Sequence, residues 1–147
     1  MQRDYILRLI EQAGAVLRRL LDRVLARSAS REDIARDLRH AAHLGGLDLD
    51  LLRLCDGPSL LQLVTPGGEP EPARTWLAAE SLYLDGLAAD LEGAGDEAEH
   101  SLAKALMLYR LVQPGPVLPT GIPEAADRVR DIEARLARLS GEPAHGP

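Results

Sequence analysis

The chain has 147 residues, 46% of them hydrophobic and 27% charged, with a formal net charge of −6, one cysteine, one tryptophan and no phenylalanine. This composition excludes wholesale disorder, an internal disulfide and the clustered cationic surface that nucleic acid demands. It fits a single all-α domain over residues 1–140 that buries its core without metal, cofactor or cross-link, with residues 141–147 expected as a disordered tail.

Without phenylalanine the core must come from Leu, Ala, Val and Ile, which suits packed helices. No run approaches the roughly 20 apolar residues of a membrane span. Arg8 interrupts the opening MQRDYILRLI before it reaches signal-peptide length. The lone Cys55 is compatible with a reducing compartment, and the expectation is a soluble cytoplasmic protein. Charge is unevenly spread: residues 1–40 are net +3, residues 41–100 net −10 and residues 101–147 net +1. The acidic middle and the basic ends can attract within one molecule or between two copies.

The spacing predicts a first helix over Asp4–Arg27. Ile6, Ile10, Ala13, Leu17, Leu20 and Val24 alternate steps of four and three, as at a helix–helix seam. Leu9, Val16 and Leu21 widen the stripe, and the opposite face carries Arg8, Arg18, Arg19 and Arg23 among acids. That face is either solvated or a docking surface for an acidic partner; the interspersed acids count against lipid. A homodimer is expected, with Leu9, Val16 and Leu20 in its seam and Arg8, Arg19 and Arg23 beside it.

Ser30, with Asp33 three residues on, predicts the cap of a second helix that ends at Gly45–Gly46. His40 and His43 stand three apart on it. They read either as solvated or capping groups or as a weak metal pair, since helical zinc pairs are usually four apart and have Cys or Glu partners nearby. Asp48 or Asp50 caps a short helix that Gly57–Pro58 should end, and Ser59 caps another over Leu60–Val64. Cys55 reads as a small buried hydrophobe, and Thr65–Arg74 as a linker.

Thr75–Glu92 should be the central helix. Trp76, Tyr83 and Leu87 form one apolar line, Leu77, Leu84, Ala88 and Leu91 a second, and Ala78, Ala79, Leu82, Gly86 and Ala89 a small-residue face. Only Ser81, Asp85 and Glu92 mark a polar edge. A helix apolar on most sides must be covered by neighbours. Glu80, among Trp76, Leu84 and Leu87, and Asp90, beside Tyr83 and Leu87, are the best candidates for acid–base chemistry. Alternatively, Glu80 is solvated or pairs with an arginine of the first helix.

Asp96 should cap a helix over Glu97–Val112 that buries Ala98, Leu102, Ala105, Leu106 and Tyr109, antiparallel to the central one. The segment Gln113–Pro123 is irregular. A last helix begins near Pro123, with Val129, Ile132, Leu136 and Leu139 inward and Arg128, Arg130, Asp131, Glu133, Arg135 and Arg138 as its wet face. The sum is an antiparallel bundle of about five main helices.

The central pair resembles a tetratricopeptide-type hairpin, with small residues in its first helix, a turn at Gly95–Asp96, and Ala98, Leu102 and Ala105 at the alanine–large–alanine spacing. That resemblance implies a protein-binding role, although only one hairpin is visible and Pro114 stands later than a repeat's closing proline. The opening RDYILRLIEQ, the stretch LGGLDLDLL and this hairpin also look like a group of short bacterial helical proteins of unknown function, over about residues 2–112, which implies an all-helical fold and no particular activity.

No phosphate loop, nucleophile elbow, HExxH or paired CxxC occurs. The expectation is a non-enzymatic module that binds another protein or itself, without a cofactor. The alternative is a small enzyme or metal protein using Glu80 and Asp90 or His40 and His43.

Overall fold

Helix α5 (Pro72–Leu91) has no solvent face through its middle: the thirteen residues from Leu77 to Ala89 are all buried. The computed structural model describes residues 2–65, 67–68, 71–111 and 125–141, with side chains from Arg8 onward. Among the described residues every regular element is a helix. Around α5 stand α1 (Gln2–Leu25), α2 (Arg31–Leu44), the short α3 (Leu49–Leu54) and α4 (Gly57–Val64), α6 (Gly95–Leu111) and α7 (Ala125–Leu139). α5 packs most extensively on α6, and α1 and α2 pack on each other and on α5. α7 packs on α6 and reaches α5 through long side chains.

The α1 seam is used as its spacing predicts: Ile10, Ala13, Leu17, Leu20 and Val24 are all core residues. The helix ends at Leu25 rather than Arg27, because Arg27 adopts a left-handed φ of 53° and the Ser28 N–H donates back to Arg23 O at 3.1 Å. That is the closing turn more often built on glycine. Ser30 caps α2 as expected, its hydroxyl accepting from Asp33 N at 3.1 Å.

Proline placement corrects two expected boundaries. Gly57–Pro58 does not end α3; Cys55 does, and Pro58 lies in the first turn of α4, whose cap is Asp56, accepting from Ser59 N at 2.8 Å. The expected linker Thr65–Arg74 is shorter at its end, since α5 begins at Pro72 and Glu71 accepts from Arg74 N at 2.6 Å. A first-turn residue needs no N–H, so proline opens a helix as readily as it stops one. α6 begins at Gly95, which puts Asp96 inside its first turn. The expected irregular segment 113–123, the helix start at Pro123 and, apart from Gly141, the expected tail 141–147 lie outside the described residues.

The expected polar edge of α5 is also corrected. Ser81 and Asp85 are buried, and only Glu92 is exposed. α5 and α6 are antiparallel, since Glu80 meets Tyr109 while Asp85 meets Ser101. They come close at Gly86, where a Cβ would stand 2.7 Å from Leu102 Cγ and 3.2 Å from Leu102 N. Glycine is required there by the neighbouring helix, against its poor helix propensity.

Candidate functional site

α2 and α6 both lie on α5 without packing closely on each other, and the space between them is an open groove of about 680 Å³. One wall is the α2 stripe Arg31, Ala35 and Arg39; the other is Asp96, Glu97, His100 and Ser101 of α6. Arg31 and Arg39 are eight residues apart, about 12 Å along a helix. At one end Arg31 pairs with Glu97 and stands 3.8 Å from Glu92. At the other Arg39 donates to Asp50 from Nε and Nη2, each at 3.1 Å to its nearer carboxylate oxygen.

The floor is built from α3 and α5. Asp85, with its side chain 6% exposed, accepts from Arg53 Nε at 3.2 Å and from Ser101 Oγ at 2.8 Å, and Arg53 Nη2 completes a two-pronged pair. Burial works against the Arg53 charge, and Asp85, with Asp50 and Glu97 nearby, more than offsets it, so the Arg53 pKa lies above the ordinary guanidinium value. Lys104 of α6 fixes the position of Arg53. Its Nζ donates to Leu52 O at 3.0 Å and to Arg53 O, closing the C-terminus of α3. Burial holds the Lys104 pKa below the ordinary lysine value. The cations of the groove are matched by acids, so it suits a polar segment with both signs of charge better than a lone anion.

A second polar cluster lies between α5 and α7. Arg128 Nε donates to Glu80 Oε1 at 2.9 Å, and Tyr109 OH donates to the same oxygen. Tyr83 OH donates to Asp131 Oδ2 at 2.6 Å, with the Arg128 guanidinium 4.9 Å above its ring. Arg135 donates to Asp131 at 2.9 Å and to Asp90 at 2.7 Å, and Arg138 also reaches Asp90. Partners ascend together along the two helices, so α7 runs parallel to α5. Burial and then the facing carboxylates raise the pKa of Tyr83 and Tyr109. For Arg128, burial opposes the charge and Glu80 more than restores it, raising the pKa.

Burial alone would raise the Asp90 carboxyl, but Arg138 and Arg135 hold it below the ordinary carboxylate value. A depressed folded pKa gives stability that is present above the unfolded value and lost as pH falls through the folded one. The stability gap between the native chain and Asp90→Asn should therefore be full at neutral pH and shrink below about pH 4. Urea midpoints of both proteins across that range check this, and a gap constant into strong acid would show that Asp90 does not titrate with the fold.

The residues singled out from sequence fall in different places. Glu80 and Asp90 have side chains 8% and 3% exposed, and arginines of α7 satisfy both. Glu80 is neither solvated nor paired with the first helix. His40 and His43 share a hollow of about 350 Å³ with Asp48 and Asp50. Asp48 is engaged as the cap of α3 and Asp50 by Arg39. Among the described residues no three His, Cys, Asp or Glu side chains converge.

On α1, Leu9 and Val16 are half-buried and Arg8 and Arg19 exposed. Arg23 donates to Asp37 of α2 at 2.7 Å. Leu20, expected in a dimer seam, is instead buried within the chain itself. The expected wet face of α7 is corrected as well, since Arg128, Asp131 and Arg135 turn toward α5. Sequence reasoning missed Arg53, Ser101 and Lys104 altogether. The available signal was Asp85 itself, a carboxylate inside the most apolar helix, which requires a cation from elsewhere.

No known protein family, curated protein or solved structure matches the chain. Among the described residues no helix is long and apolar enough to cross a membrane.

Proposed function

We propose that the protein is a non-enzymatic, tetratricopeptide-like helical module that binds another protein, with the α2–α6 groove as its contact site. The observation that carries this reading is the open groove of about 680 Å³ over a buried Arg53–Asp85 floor. A floor held by a two-pronged ion pair is preorganised, and its walls offer guanidinium, carboxylate and imidazole groups to an incoming chain. The close approach of α5 and α6 at Gly86 supports the hairpin likeness. Ala35→Trp fills the groove with a half-buried substitution that leaves the ion pairs in place. Affinity capture from the native host should recover a partner with the unmodified chain and lose it with Ala35→Trp at unchanged thermal midpoint. The same partners on both would sink the reading.

Self-association as a homodimer is a second reading, favoured by the half-buried Leu9 and Val16 on one line of α1, with Arg8 and Arg19 beside them. Sedimentation equilibrium at micromolar protein decides it. A species of 15.9 kDa refutes it, and an authentic α1 dimer should be broken by Val16→Glu.

A further inference from the structure

α7 is attached in an unusual way. Only Ile132 is fully buried among its described side chains, yet three of its arginines reach carboxylates on α5 that are almost closed to solvent. The face it covers has a clear chemical pattern. Glu80, Tyr83, Leu87 and Asp90 lie along α5, with Tyr109 of α6 beside them. The two acids are ten residues apart, about 15 Å. The complement carried by α7 is equally clear: Arg128, Ile132, Arg135 and Arg138, cationic at both ends and apolar between. Thirteen residues, 112–124, join Leu111 to Ala125. Their contour can exceed 40 Å, on the order of 3.3 Å per residue. Both joined ends stand at the same end of the hairpin, since Tyr109 and Arg128 meet on Glu80. Lifting α7 therefore demands no break in α5 or α6.

We propose that this α5–α6 face is a helix-docking surface for an arginine-bearing amphipathic helix of a partner protein, and that α7 is its built-in occupant. The incoming helix presents arginine, an apolar residue four positions on, and arginines seven and ten positions on, so that both acids are answered and the apolar residue meets the hairpin. It competes with a tethered rival whose effective concentration is of millimolar order. Docking in trans then follows either loosening of α7 or a tighter partner. This surface is separate from the α2–α6 groove, so each can fail without the other.

The test uses the full chain and a fluorescein-labelled synthetic peptide of residues 125–140. Arg135→Ala with Arg138→Ala loosens α7 and leaves the docking face untouched. Fluorescence anisotropy should show the peptide binding the double variant at least tenfold more tightly than the native chain. Adding Asp90→Asn should abolish the gain, and a peptide with its arginines replaced by glutamine should not bind. Equal binding of the glutamine peptide, or no uptake by the double variant, overturns the proposal. Dimerisation of the double variant without peptide uptake overturns it in favour of α7 exchange between copies. The second arm needs no variant: saturating peptide should accelerate hydrogen exchange of α7 in the native chain, and unchanged exchange also counts against the proposal.

Discussion

Leu87→Ala should destabilise the protein by about 2–5 kcal/mol, the range for truncating a fully enclosed leucine. Leu87 is 0% exposed and lies in the stretch of α5 that is buried on every side. A side chain enclosed on every side leaves a space that its surroundings fill only in part, so the cavity cost adds to the transfer cost. Domains of this size are stable by only about 5–15 kcal/mol, so this one change removes a large share. Leu54→Ala is the matched control. Leu54 is 83% exposed, and its truncation should stay within about 0.5 kcal/mol. Urea denaturation measures both, with an unchanged m-value required for a clean comparison. A loss below about 0.5 kcal/mol at Leu87 would mean that α5 is not the centre of the fold.

Arg128→Met should cost about 3 kcal/mol, the low end for removing one member of a buried ion pair, because Arg128 is itself 18% exposed. The penalty comes from what is left behind. Glu80 would keep one hydrogen bond, from Tyr109, and lose the charge that offsets its burial. Removing the charge with the partner should repair much of this, so Arg128→Met with Glu80→Gln is expected to be more stable than Arg128→Met alone. Chemical denaturation of the two singles and the double completes the cycle. Strict additivity would show that Glu80 and Arg128 do not interact.

The apolar rhythm carried the fold. The α1 repeat from Ile10 to Val24, the Ser30 cap and the all-round apolarity of α5 follow from neighbours three or four residues away, which a helix brings together by its own geometry. The polar contacts depend on partners that no local rule supplies. Arg53 is 32 residues from Asp85, and Arg128 is 48 residues from Glu80. Read within one helix, Asp85 looks like a wet edge and Arg128 like a wet face. The coarser charge map did point the right way, since the net −10 of residues 41–100 needs cations from outside that stretch. It could not say which basic end would supply them. The last helix packs on α6 and reaches α5, where its arginines answer Glu80 and Asp90.

Trp76 is the chain's single tryptophan, and its ring stands against Gly14 of α1, 3.0 Å from where a Cβ would be. The only strong fluorophore thus watches the contact between α1 and α5. Emission from the indole should report the loss of α1. Tyr83 and Tyr109, whose hydroxyls are held by Asp131 and Glu80, provide an ultraviolet absorbance signal where α5 meets α6 and α7. Two optical channels, natural to the sequence, therefore report two separate seams, and a melt in which they diverge would reveal stepwise opening without any label.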